Sequence, residues 1–203
     1  MSRIVRDMAV VALVGVLVTG CARTGDEPAA GGGAAEPVAS TAATPTPSAT
    51  AGDFSPTDIA WTQLMIALDD KTLLLVDLTP KQTTDPDLRG LADRVGDGHR
   101  AELTRLRELL RQAGVAESNE HEGHDMPGMV TASDLRALTA ATGPAFDQLF
   151  VTNMRDHLEQ TVRLAQAVRK SGHEPHVREL AGEIEQVRAT QLDQLATVGP
   201  PAG

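Results

Sequence analysis

The chain has no tyrosine, one tryptophan, three phenylalanines and one cysteine in 203 residues. With so few rings, any core has to be built from Leu, Val, Ile, Ala and Met. A single cysteine excludes an intramolecular disulfide, whatever the compartment. No window alternates apolar and polar residues with period two, so no sheet is expected. No nucleophile–base pattern, phosphate loop or glycine-rich dinucleotide turn is present, and nothing points to an enzyme. Positive charge is also short: 18 Lys and Arg against 28 Asp and Glu give a formal net charge of −10. That balance argues against nucleic acid and against an anionic membrane surface as partners. The acids are interspersed with bases along the helical patterns, so they do not form an acidic tail.

What is present falls into three stretches. Residues 1–21 have the pattern of a lipoprotein export signal: Arg3 and Arg6, then an apolar run over residues 8–18, about eleven residues and too short for a stable span. The run ends in Val18-Thr19-Gly20-Cys21, which resembles the bacterial lipobox, and Cys21 is the expected lipidation site. This predicts a protein lipid-anchored to the cell membrane on its extracytoplasmic face. Residues 22–52 are Ala, Gly, Pro, Thr and Ser with almost no large apolar side chain, the composition of a disordered tether that cannot offset its ordering entropy. Residues 53–199 suffice for one domain with a real core.

That domain is predicted to be all-α. Ser55-Pro56-Thr57-Asp58 opens a first helix whose stripe is Trp61, Leu64/Met65, Leu68, Thr72 and Leu75/Val76, with Thr79-Pro80 as its expected end. Asp85-Pro86 opens a second, running to about Gly114, with His99 on its stripe and Gly96 and Gly98 as points of weakness. Thr131-Ala132-Ser133-Asp134 opens a short helix expected to end at Gly143. Pro144 begins a third long helix with Phe146, Phe150, Met154, His157/Leu158 and Thr161 inward, closed by Gly172. Pro175 begins the fourth, with Val177, Leu180/Ala181, Ile184, Val187/Arg188, Gln191 and Leu195 inward. The two hairpins are one pattern written twice. Adding 89 to Asp58, Met65, Thr72, Leu75, Arg89, Leu91, Ala92, Leu103 and Leu106 lands on the same residue type each time, and Trp61 lands on Phe150. Two repeated hairpins with a short extra helix in the crossover predict a four-helix bundle.

From Gly123 onward the motifs resemble a known family. Met126-Pro127-Gly128-Met129, Asp134-Leu135, Gly143-Pro144-Ala145-Phe146-Asp147-Gln148-Leu149-Phe150, Met154, His157 and Val177-Arg178-Glu179-Leu180-Ala181 match the pattern of the DUF305 proteins. The resemblance covers about residues 55–196. It implies an exported, ferritin-like bundle and a link to copper or silver in the periplasm or at the cell surface. The departures are as specific as the matches. The family's His-His pair stands here as His157-Leu158 in the second half and as Leu68-Asp69 in the first. Its Gln and Glu on the second helix of each hairpin become His99 and Glu102, then Arg188 and Gln191.

Two constellations carry possible chemistry. In the loop of residues 121–129, His121, His124, Met126 and Met129 offer imidazole and thioether donors, which suit Cu(I) or Ag(I); the alternative is that the methionines fill gaps at the end of the bundle. His157 joins them as a candidate ligand from the bundle core. The second constellation is Asp69, His99, Glu102, Arg188 and Gln191, expected with His157 to form a buried polar network, since a cation such as Arg188 is unfavourable beside a metal. His173-Glu174-Pro175-His176 is expected to serve the helix dipole in the turn between the last two helices. The expected function is metal buffering or transfer by a non-enzyme. The alternative is a non-metal envelope interaction or sensing module that has lost the family's core histidines. No protein partner is named by the sequence.

Overall fold

The computed structural model describes residues 54–118 and 125–198. His121, His124, Cys21 and the stretches 1–53, 119–124 and 199–203 lie outside the described residues. Five helices follow in order: α1 Pro56–Gln82, α2 Pro86–Ala113, α3 Ala132–Ala140, α4 Pro144–Ser171 and α5 Pro175–Val198. Among the described residues there is no strand. The four long helices form the bundle and α3 lies in the crossover between its two hairpins.

Each start has a local cause. Ser55 caps α1 in a full capping box with Asp58, Asp85 accepts from the amides of Asp87 and Leu88 at the start of α2, and Thr131 with Asp134 repeats the box on α3. Proline stands at the first helical position of α1, α2 and α4. Two boundaries differ from the sequence expectation. α1 does not stop at Thr79-Pro80 but continues to Gln82, because a proline in the last turn removes a single bond near an end that is already losing them. α3 ends at Ala140, capped by Ala141, short of Gly143, whose amide instead donates to the Gln82 carbonyl at 2.7 Å and ties the crossover to the end of α1.

Gly96 does not break α2. It is buried, and a Cβ there would lie 2.9 Å from Val76 Cγ1, so the missing side chain lets α1 and α2 approach. Gly172 is required for the same reason at the other end: its Cβ would meet Asp58 Oδ1 at 2.5 Å. That closeness lets Asp58, fully buried, accept from the amides of His173 at 3.0 Å and Glu174 at 3.2 Å, pinning the α4–α5 turn to the start of α1. In that turn Glu174 accepts from the Val177 amide at 2.7 Å and from His176 Nδ1 at 2.8 Å, so His176 serves the start of α5 rather than the end of α4.

Packing is densest within each hairpin, α1 on α2 and α4 on α5, and α1 meets α4 between them. The core is divided in two. One cluster gathers Trp61, Met65, Leu68, Leu103, Leu106, Leu110, Ala165, Val168, Val177, Leu180 and Ile184. The other gathers Leu75, Leu88, Leu91, Val95, Phe146, Phe150, Met154, Leu158 and Leu195. Between the two levels lie buried polar side chains from all four long helices. On the fourth long helix the predicted stripe needs one change: Val187 is 46% exposed while Arg188 is fully buried. No helix among the described residues is long and apolar enough to cross a membrane.

Candidate metal centre

The polar layer consists of Asp69 and Thr72 from α1, His99 and Glu102 from α2, His157 and Thr161 from α4, and Arg188 and Gln191 from α5. Asp69 is fully buried, with the Arg188 guanidinium of α5 3.5 Å from its Oδ1. The layer is built from two linked chains of contacts.

The first chain runs through the histidines. His99 Nδ1 lies 2.8 Å from the Val95 carbonyl, which can only accept, so the proton is on Nδ1 and Nε2 carries the lone pair. His157 Nε2 lies 2.8 Å from His99 Nε2 and must donate to it. His157 Nδ1 is then an acceptor, and the Thr72 hydroxyl at 2.9 Å donates to it. Each position follows from the one before, so the neutral tautomers of both rings are fixed by a single carbonyl. Burial, Arg188 and His157 together hold His99 well below the ordinary histidine range. Burial and then Arg188 push His157 down to about 3, against an opposing pull from the Gly128 backbone. Both rings are therefore neutral at physiological pH.

The second chain runs through the charges. Arg188 Nη2 donates to Glu102 Oε2 at 2.7 Å and reaches Asp69 Oδ1 at 3.5 Å, while Nη1 donates to Gln191 Oε1 at 3.3 Å. Burial raises the Asp69 carboxyl well above the usual range, the Glu102 charge adds to it, and Arg188 opposes it. Three polar atoms of this layer are buried without a hydrogen-bond partner: Asp69 Oδ2, Glu102 Oε1 and Arg188 Nε. Unpaired buried atoms are costly, and the raised Asp69 carboxyl can relieve part of that cost by sharing its proton with Glu102.

The two chains meet at Asp69. Its Oδ1 lies 3.6 Å from His99 Nε2 and 3.7 Å from His157 Nε2. Asp69, His99 and His157 are thus a set of three donors close enough to share one ion. With edges of 2.8, 3.6 and 3.7 Å, the three atoms are equidistant from a point about 2.0 Å from each, within the bonding range of metal to imidazole nitrogen and carboxylate oxygen. The second shell is also in place: a backbone carbonyl orients His99 and a hydroxyl faces the far nitrogen of His157.

The predicted residues distribute unevenly over this geometry. Asp69, His99, Glu102, His157, Arg188 and Gln191 lie together in the buried layer. Met126 is half-buried against the first core cluster and Met129 is buried within it, so both serve packing. The turn they flank is nevertheless close to the histidines along α4. Gly128, with φ of +75°, sits so tightly on that helix that a Cβ would lie 2.4 Å from Gln160 Cβ and 2.9 Å from the Asp156 carbonyl. Its own backbone is near enough to influence His157. Two functional positions escaped the sequence: the Thr72 hydroxyl on His157 and the carboxylate of Asp58. Both were visible as identities in the repeat, Thr72 with Thr161 and Asp58 with Asp147, and that recurrence was the available signal.

A family model described as a domain of unknown function (DUF305) matches residues 58–198. No curated protein gives a significant match. Solved structures of similar fold include a DUF305 protein of Streptomyces coelicolor described as secreted, at 15% identity and TM-score 0.65, covering 72% of this chain and 97% of that one. A DUF305 fragment from Deinococcus radiodurans is 16% identical with TM-score 0.65, covering 71% of this chain and 96% of that one. CopM in its Cu(I)-bound form is 18% identical with TM-score 0.59, covering 70% of this chain and 95% of that one. CopM is also known in a Cu(II)-bound form, at TM-score 0.57.

Proposed function

The chain belongs to the DUF305 family, and from that premise and its buried donor set we propose that it holds copper, as Cu(I), or silver in the core of the bundle. Asp69, His99 and His157 are the ligands, and the protein is a holder of the ion rather than a catalyst. The observation that carries this reading is the convergence on Asp69 Oδ1 of two neutral imidazoles, His99 with its Nε2 lone pair exposed to the site and His157 able to free its own by moving its proton to Nδ1, where the Thr72 hydroxyl can accept it. Charge sets the preference. Arg188 and Glu102 neutralise each other at 2.7 Å, which leaves the Asp69 carboxylate as the one unbalanced charge. A proton balances it in the metal-free protein, and one monovalent cation in its place leaves the layer neutral. A divalent ion would add an uncompensated charge to a dry core. Met126 is only half-buried, and with His121 and His124 it offers a second, weaker set where the ion is first met. Copper-bound forms of the structurally similar CopM support the choice of metal.

The location follows from the same sequence. We propose that the chain is exported and lipid-anchored through Cys21, in keeping with the secreted Streptomyces relative. A Cys21→Ser change is expected to move the protein from the membrane fraction to the soluble one.

A second reading has its own observation. The relay from Thr72 through His157 and His99 to the Val95 carbonyl is complete without any ion. On that reading the layer is a polar specifier that fixes helix register, and the domain is a non-metal interaction or sensing module. Anaerobic Cu(I) competition titration of the full chain separates the two. Tight binding that falls in His157→Gln and in Asp69→Asn but survives replacement of His121, His124, Met126 and Met129 by Ala supports the core site. Binding lost only in the loop variant contradicts it, and no binding in any form leaves the structural reading.

A further inference from the structure

The 89-residue repeat relates His99 to Arg188 and Glu102 to Gln191. On α2 the pair reads His-x-x-Glu, and on α5 it reads Arg-x-x-Gln. Bundle sites that hold two metal ions use inward-facing carboxylate and His/Glu pairs three apart from opposite hairpins, so that each hairpin supplies one ion's imidazole. Here one hairpin supplies an imidazole and the other supplies a guanidinium at the equivalent place. The guanidinium is fully buried, lies 2.7 Å from Glu102 and 3.5 Å from Asp69, and shares Asp69 Oδ1 with both histidines. Asp69 therefore stands between two positive positions. One is the triangle of Asp69, His99 and His157. The other lies between Asp69 and Glu102, and it is filled by a side chain.

We propose that Arg188 is a resident cation occupying the second cation position of a two-cation layer, and that it restricts this bundle core to a single exchangeable ion. The inference rests on the core metal reading above and deepens it. The other changes in the layer agree. The repeat places Leu68 opposite His157 and Leu158 opposite Asp69, and both leucines are buried. The second half thus has no donor set of its own, and Gln191, neutral where Glu102 is charged, only supports the guanidinium through its Oε1. Lysine would not serve as well, since a planar fork reaches Glu102, Asp69 and Gln191 from one position and a point charge does not. Asp69 and Glu102 lie close enough for a proton on the Asp69 carboxyl to be shared with Glu102, so the two acids face one common position.

The test is metal stoichiometry. In the full chain the double variant Arg188→His with Gln191→Glu rebuilds His-x-x-Glu on α5 beside Asp69 and Glu102. Anaerobic titration with Ag(I) and with Cu(I), read by equilibrium dialysis, is expected to give one equivalent more than the wild-type chain. Arg188→Lys, which keeps the charge, is expected to give no gain. If the double variant loses its helical circular dichroism without metal, the same titration reads refolding, with helicity recovered at one equivalent more than the wild-type chain binds. No gain in the double variant, no metal-dependent refolding, or an equal gain in Arg188→Lys overturns the proposal. The core reading is scored separately, by whether His157→Gln loses one equivalent relative to wild type.

Discussion

The two hairpins are the same fold carrying opposite chemistry. Positions that shape the bundle match between them: Met65 with Met154, Leu91 with Leu180, Ala92 with Ala181, Leu106 with Leu195. At the level of the polar layer Thr72 matches Thr161, but the charged and imidazole positions do not match. The first hairpin contributes Asp69, His99 and Glu102, two acids and a neutral base. The second contributes His157, Arg188 and Gln191, a neutral base and a permanent cation. Neither half could bury its own set, since one would leave two acids and the other a lone guanidinium in a dry core. The difference teaches that the repeat was conserved as packing and divided as electrostatics, with the site formed only across the seam.

The largest expected effect comes from breaking that division at matched positions. Arg188→Leu removes the partner of Glu102 and Asp69 and is expected to cost about 3–5 kcal/mol in urea unfolding, the usual loss when half of a buried pair is removed. His99→Leu, the same position in the other half, removes neutral hydrogen bonds only and is expected to cost about 1–3 kcal/mol. Equal losses would mean that the halves are not electrically distinct.

A smaller contrast sits at the helix starts. Asp58 accepts from Ser55, His173 and Glu174, so Asp58→Ala leaves buried amides unpaired and is expected to cost about 2–3 kcal/mol. Its repeat mate Asp147 has an Oδ1 with no partner, and Asp147→Ala is expected to cost under about 1 kcal/mol. Thermal melts of the two single variants give the comparison directly, and a reversal of order would contradict the lock assigned to Asp58.

The smallest effect is the dependence on pH, where the two histidines and Asp69 oppose each other. His99 and His157 hold fewer protons in the folded protein than in the unfolded chain, so their contribution falls as pH drops from about 6.5, ending for His157 at about 3. Asp69 is shifted the other way, so its contribution is full below the ordinary Asp range and is lost as pH rises through its elevated folded value. The melting temperature of the metal-free chain is therefore expected to fall only gently from pH 6.5 to pH 4, and to fall more steeply in Asp69→Asn. A steeper wild-type profile would show that the two shifts do not act in opposition.

Much of this was legible in the sequence, and the illegible parts have physical reasons. Helix faces, caps and the repeat are local or periodic, so Trp61, Leu91, Phe150 and Ile184 were placed inward from spacing alone. The members of the polar layer were legible as interruptions of those stripes. Their pairing was not, because the contact of His99 with His157 joins residues 58 apart in the chain and depends on how two hairpins dock. Asp69 was read as part of a buried network, but its partner was not legible, because the guanidinium it meets lies 119 residues away. Val187 and Arg188 were read as sharing the inward stripe, and the pair with Glu102 decided for the arginine, leaving the valine exposed. The loop was read from its donors, and Met129 proved to be buried in the core through the fit of Gly128 on α4.

The most direct test of the metal centre follows the imidazole nitrogens themselves. In the metal-free chain labelled with ¹⁵N-histidine, His99 is expected to carry its proton on Nδ1 and His157 on Nε2, as the chain of hydrogen bonds dictates. On addition of one equivalent of Ag(I), both Nε2 resonances are expected to shift to metal-bound values and the His157 proton to leave Nε2. Shifts confined to other histidines, with these two nitrogens unchanged, would contradict the account and return the layer to a purely structural role.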